Sequence, residues 1–164
     1  MPDDPGKFGD GRRLRLTAAI PSERVICLTT LSHVGGRLHL VPTLTAFFEI
    51  ENFDQASVQQ LARQLFAYFS AHQIGEVIAR RGPSRGSHAI SGRTETILQL
   101  LPITCTHVYS SKVTAWAKGG ASLLPAPQAS LTARNQDIQR RAIEGAAFGI
   151  DRLLADPAHK TRRH

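Results

Sequence analysis

The 164-residue chain has few of the residue types that mark a mechanism outright: two cysteines, one tryptophan, one methionine and two tyrosines. Cys27 and Cys105 each lie inside an apolar run, and neither has a Cys or His neighbour at zinc-knuckle spacing. Structural zinc and a disulfide framework are therefore not expected, and both thiols should behave as small buried hydrophobes. No apolar run approaches the ~20 residues that cross a bilayer. Residues 1–11 are polar and rich in Gly, Pro and Asp, unlike a signal peptide or anchor. The expectation is a disordered lead over 1–11, one domain over 12–155, a basic tail over 156–164, a cytoplasmic location and no membrane partner. Equally missing are a HExxH helix, a GxSxG elbow and the Gly-Lys-Ser/Thr ending of a P-loop, so the commonest metallohydrolase, serine-hydrolase and nucleotide-hydrolase signatures do not apply.

What is abundant is arginine. Lys and Arg total 20 against 13 Asp and Glu, a net charge of +7, and Arg outnumbers Lys by 16 to 4. An excess of positive charge concentrates polyanions near a surface, and the guanidinium fork grips phosphate in a bidentate manner that an ammonium cannot. Nucleic acid is the leading partner class, with an acidic protein partner as the other possibility. The densest cationic stretch inside the folded part is RRGPSRGSH, with Arg80, Arg81, Arg85 and, further on, Arg93. Gly82 and Gly86 would allow close backbone approach there, and Ser84 and Ser87 would add phosphate donors.

Periodicity divides the chain. Arg12–Ile20 alternates as a half-buried strand, Val25–Leu31 is rich in β-branched residues, and Arg37–Val41 with Thr43–Ile50 reads as a third strand broken at Pro42. From Asp54 the period becomes helical: Val58, Leu61, Leu65 and Phe69 share a face, Asp54 or Ser57 caps its start (Ser57 with Gln60 having capping-box spacing), and Gly75 is the expected stop. A short strand Glu76–Ala79, a helix Ile90–Leu101, a strand Ile103–Tyr109, a short helix Lys112–Lys118, an irregular connection over 119–134 and a helix near Gln136–Ala155 follow. Antiparallel strands first and strand–helix alternation afterwards predict an α/β fold, a mixed five-stranded sheet flanked by helices.

This order, carried by RLRLTAAIPSERVICLTTL, the amphipathic first helix, EVIARRG, SGRTETILQLL and RRAIEGAAFGI, resembles the ribonuclease-H-like superfamily, in particular the RuvC-type Holliday-junction-resolvase branch and related bacterial proteins. The resemblance spans roughly Arg12 to Leu154 and implies a metal-dependent nuclease, in which carboxylates on the first strand, the end of the fourth strand and the last helix hold two divalent ions such as Mg²⁺ or Mn²⁺. Here the first strand offers Thr17-Ala18-Ala19, and the fourth ends in Ala79-Arg80-Arg81. Only the last helix keeps acids at a matching place, Asp137 and Glu144, with Asp151 at the next seven-residue interval.

Two functional expectations follow. The first is a nucleic-acid-associated, catalytically degenerate domain with no cofactor, binding through Arg80, Arg81, Arg85, Arg93 and Lys112. The second is an active nuclease with relocated carboxylates, using Glu144, Asp137 and Glu95 for catalysis, with Glu144 and Asp137 as metal ligands. Glu49 and Glu51, on one face of the third strand's end, are a further acidic pair. A protein-interaction module is a third possibility. Trp116 and Tyr109 are the aromatics available for stacking on a base.

Overall fold

The computed structural model describes residues 14–22, 24–81, 88–119 and 124–156, with 88–92 by their backbone only. Strands β1 (Leu14–Pro21), β2 (Val25–Val34) and β3 (Arg37–Glu49) come first. Helix α1 (Gln55–Ala71), strand β4 (Glu76–Arg81), helix α2 (His88–Gln99), strand β5 (Thr104–Tyr109) and helices α3 (Ser110–Lys118) and α4 (Ala133–Ala155) follow. The sheet order is β3-β2-β1-β4-β5, antiparallel across β3, β2 and β1 and parallel from β1 through β4 to β5. The expected mixed sheet forms because the buried stretches of β1 (16–21) and β2 (25–32) are apolar or hydroxyl-bearing on both faces and so suit the middle of a covered sheet. The buried hydroxyls of Thr17 and Thr30, 2.7 Å apart, satisfy each other across the β1–β2 pair.

Each face has its own core. Helices α3 and α4 cover one face, over Leu16, Ala18, Ile20, Ile78 and Val108. Helices α1 and α2 cover the other, where Leu61, Leu65, Phe69 and Leu98 pack on Ala19, Leu28 and Val77. Helix α4 sits close because its inner stripe is small: Ala142, Gly145, Ala146 and Gly149 are buried. A Cβ on Gly149 would overlap Leu16 Cδ2 and stand 2.9 Å from Ile78 Cδ1. Gln139, fully buried on the same helix, donates to Thr45 Oγ1 of β3 and to Gln128 Oε1, and accepts from Gln128 N–H at 2.8 Å. With the Gln136 amide, which donates to the Ala129 and Leu131 carbonyls, it anchors the described part of the irregular connection, which composition alone reads as featureless.

Most observed boundaries shift by a few residues from the sequence-based ones, and four places have an identifiable physical cause or bear on the site. Asp54 is the N-cap of α1: its carboxylate accepts from the Ser57 N–H at 2.8 Å and from the Ser57 hydroxyl at 3.1 Å, so the Ser57–Gln60 box does not form. These bonds hold the Asp54 carboxyl below the usual carboxylate range. The helix stops through Gln73 at φ 55°, not through Gly75. Gln73 N–H bonds to Ser70 O and Ile74 N–H to Phe69 O, the paired bonds of a Schellman ending. Strand β3 continues past Pro42, but Leu31 pairs Leu40 while Thr29 pairs Thr45, leaving 41–44 bulged opposite Thr30 alone. As β3 is an edge strand, the missing proline N–H leaves no ladder bond unmade inside the sheet. Finally, β4 runs two residues beyond Ala79, to Arg81.

Two stability changes are expected in urea denaturation. Gln73→Gly removes the left-handed strain and raises stability by about 0.5–1 kcal/mol. Gly149→Val overpacks the α4–sheet contact and lowers it by about 1–3 kcal/mol.

Candidate functional site

Strands β1, β3, β4 and β5 run the same way, so their C-terminal ends share one edge of the molecule. Ligand sites of α/β sheets collect at such an edge. Here it carries the end of β4, where Arg80 and Arg81 point to opposite faces, as neighbours on a strand must.

Arg80 turns toward α3 and α4 and is 4% exposed. Its Nη1 donates to the Arg141 carbonyl at 2.9 Å. Its Nη2 donates to the Ser110 carbonyl at 3.2 Å, the Ser110 hydroxyl at 2.8 Å and the Thr114 hydroxyl at 3.1 Å. Glu144 Oε2 lies 3.8 Å from Nη1, and Nε has no partner. The stem runs beneath Gly145, whose Cβ, if present, would lie 3.2 Å from Arg80 Cγ and 3.6 Å from Ala18 Cβ. Burial pushes this guanidinium below the ordinary arginine range, Glu144 draws it back up, and Arg141 pushes it down again. A guanidinium stays charged at any physiological pH even so. Arg80 was expected as a phosphate contact; here it is buried, and its Nη donors go to Ser110, Thr114 and the Arg141 carbonyl in the middle of α4.

Arg81 turns toward α2 and is about half exposed, its Nε 3.7 Å from Glu95 Oε1. Glu95 Oε1 also lies 2.8 Å from His107 Nδ1 of β5, an approach without hydrogen-bond geometry that leaves both buried atoms without a hydrogen-bonding partner. Gln99 Nε2 is 3.2 Å from His107 Nε2. With the amide nitrogen donating, Nε2 accepts. Cys105 lies near the same carboxylate: burial, reinforced by Glu95, pushes its thiol up to about 11. Burial does the same to Cys27, also to about 11, partly offset by its contact with Thr29. Neither thiol has the depressed pKa of a nucleophile.

The three acids proposed for catalysis are not brought together. Glu144 is on the α4 face beside Arg80, whereas Glu95 is across the sheet beside Arg81. Asp137 is two turns from Glu144, exposed, and 3.3 Å from Arg140 Nη1. Asp151, the third member of that spacing, accepts from Trp116 Nε1 at 3.1 Å. Glu49 and Glu51 are exposed. Among the described residues, no three His, Cys, Asp or Glu side chains are grouped to hold a metal ion. The donor set at the strand ends does not fit a pair of divalent ions: Ala18 offers no ligand, Arg80 contributes a fixed positive charge, and Glu144 alone is anionic.

The cationic residues fare differently. Arg93 is exposed, its guanidinium 5.4 Å from the centre of the Phe53 ring, and Lys112 is exposed in the first turn of α3. Arg85 lies outside the described residues. Tyr109, one of the two aromatics singled out for stacking, is 61% exposed at the end of β5. Arg24, which donates to the Glu51 carbonyl at 2.8 Å, also stands at this edge and had no signal in the sequence beyond its turn position. Ser110 and Thr114, the hydroxyls that hold Arg80, are a helical i, i+4 pair that only three-dimensional contact reveals.

Arg80→Ala is expected to lower stability by about 3 kcal/mol, since it leaves two hydroxyls and Glu144 without a partner in a poorly solvated place. The double change Arg80→Met with Glu144→Leu is expected to recover more than half of that loss in the same denaturation measurement.

No protein-family model and no curated protein sequence matches this chain. Solved structures do. RuvC of T. thermophilus in complex with a Holliday junction substrate superimposes with a TM-score of 0.55 at 11% identity, over 81% of this chain and 90% of that one. Thermus thermophilus RuvC in a second structure gives 0.56 at 9% identity, over 81% and 91%. An exopolyphosphatase from Cytophaga hutchinsonii matches more loosely, with a TM-score of 0.45 at 11% identity, over 70% of this chain and 40% of that one. With its three antiparallel strands, two added parallel strands and helices on both faces, this chain has the ribonuclease-H-like fold in the form taken by RuvC.

Proposed function

We propose that this chain is a nucleic-acid-associated ribonuclease-H-like domain that holds its ligand without cutting it. The observation that carries this reading is Arg80: a buried guanidinium, bonded to α3 and α4, fills the place where the resemblance calls for a metal-binding carboxylate. A fixed cation repels divalent ions and attracts phosphate, so the same edge that would cleave a backbone in a nuclease suits only its retention here. Arg81, Arg93 and Lys112 stand exposed around that edge, with Tyr109 as an exposed aromatic, and Arg85 follows Arg81 by four positions in the sequence. A RuvC of the same fold has been solved with a Holliday junction substrate, which makes branched DNA the first ligand to try.

The test is a combined binding and cleavage assay on labelled single-stranded, duplex and four-way-junction DNA and on RNA, with Mg²⁺, Mn²⁺ or EDTA, at two salt concentrations. Expected are complexes that weaken steeply with salt, carry little sequence preference and release no metal-dependent products. Arg81→Ala combined with Arg85→Ala is expected to weaken binding roughly tenfold and to lower the salt slope by about two. Metal-dependent products that vanish with Glu144→Gln would replace this proposal with an active nuclease.

A further inference from the structure

At the other end of the sheet, where β1 begins, the β2–β3 hairpin overhangs α3 and α4 and encloses a cleft of about 450 Å³. That volume falls within the range of about 300–1,000 Å³ usual for small-molecule sites. Leu38, Ile150, Leu154 and Trp116 make an apolar lining, and His33, Arg37, His39 and Asp151 bring the polar chemistry. The hairpin that delivers the cationic side is fixed by a two-residue turn: Val34 pairs Arg37, and Gly35 and Gly36 take φ of 59° and 78°, which suits glycine. The indole is fixed as well. Its Nε1 donates to Asp151 Oδ2 at 3.1 Å and its ring meets Phe148 edge to face at 5.7 Å. Asp151 Oδ1 is left as an acceptor for an N–H or hydroxyl group.

We infer that this cleft binds a nucleotide, with the base against Trp116 and the apolar lining, the phosphate on Arg37 with His33 and His39, and Asp151 accepting from the base or ribose. A flat aromatic group, a hydroxylated linker and an anion in one ligand match the three kinds of surface in one cavity. The other two described cavities are smaller, about 300 Å³ each. One sets Glu76 and Asp156 against Arg152, and the other sets Glu76 beside Arg15, and neither offers an indole wall. The inference goes beyond the binding edge proposed above and shares no residue with it. The nucleotide is either free or an unpaired nucleotide of a strand; the chemistry is the same.

Because Trp116 is the single tryptophan of the chain, its emission reports on this cleft alone. The full chain is titrated with AMP, adenosine, ribose 5-phosphate and a short 5′-phosphorylated single strand, with calorimetry in parallel as a label-free measure. Expected is saturable change of Trp116 emission by AMP or by the strand, tighter than either fragment, and the arm that saturates identifies the source. Arg37→Ala combined with His39→Ala, both at exposed positions, is expected to weaken that binding about tenfold with an unchanged circular dichroism spectrum. Arg81→Ala with Arg85→Ala is expected to leave AMP binding as it was, so a failure at one site is not a failure at the other. Saturation by neither AMP nor the strand, equal binding of ribose 5-phosphate and AMP, or affinity that survives the Arg37/His39 change overturns the inference.

Discussion

The close approach of α4 to the central strands sets the geometry on which the rest of the molecule rests. Gly145 and Gly149 stand one helical turn apart over Ala18, Arg80, Leu16 and Ile78. Side chains at those two positions would lift the helix away from the sheet, and a helix further out could not bring the Arg141 carbonyl to within 2.9 Å of Arg80 Nη1. The guanidinium then links β4, the start of α3 and the middle of α4 in one polar knot inside an otherwise apolar layer. Such a knot is sensitive to the loss of any one partner, because each group left behind is poorly solvated.

The two faces of β4 divide the chemistry of its end. On the α4 side, Arg80 is internal and its charge is partly met by Glu144. On the α2 side, Arg81 reaches solvent, and Glu95 and His107 form a partly buried pair behind it. The local field at this edge is therefore set by fixed cations, with the nearby acids drawn inward and compensated. The fold is shared with RuvC, and a shared fold does not by itself carry a shared chemistry.

Much of the architecture was legible from residue patterns. Alternation in the first fifty residues, the helical period from Val58 to Phe69 and the small-residue stripe of the last helix each reflect a burial demand that local sequence must meet. The site was less legible, for a reason that a single boundary makes plain. Ending the fourth strand at Ala79 puts Arg80 and Arg81 together in a cationic loop; extending it by two residues sends them to opposite sides of the sheet. Strand period is two, so a shift of this size reverses which residue is internal. Neither the partners that make a buried arginine tolerable, Ser110 and Thr114, nor the amide of Gln139 that organises residues before α4 has a sequence signature. Both depend on contacts across 30 or more positions, or on a glutamine whose composition-based expectation is exposure. Gln73 likewise holds a backbone conformation usually given to glycine, and Gly75, two residues on, drew the helix stop to itself.

The bulge in β3 has a bearing on how this molecule meets others of its kind. A thirteen-residue strand at the rim of a sheet would ordinarily be a long template of unpaired N–H and C=O groups, open to any extended segment that can keep register. Four residues looped out opposite Thr30, one of them a proline without an N–H, cut that template into two runs of four and five paired residues that no straight strand can follow in a single register. The sheet thus ends at β3 by construction. An extended segment of another copy therefore finds no single register along this rim.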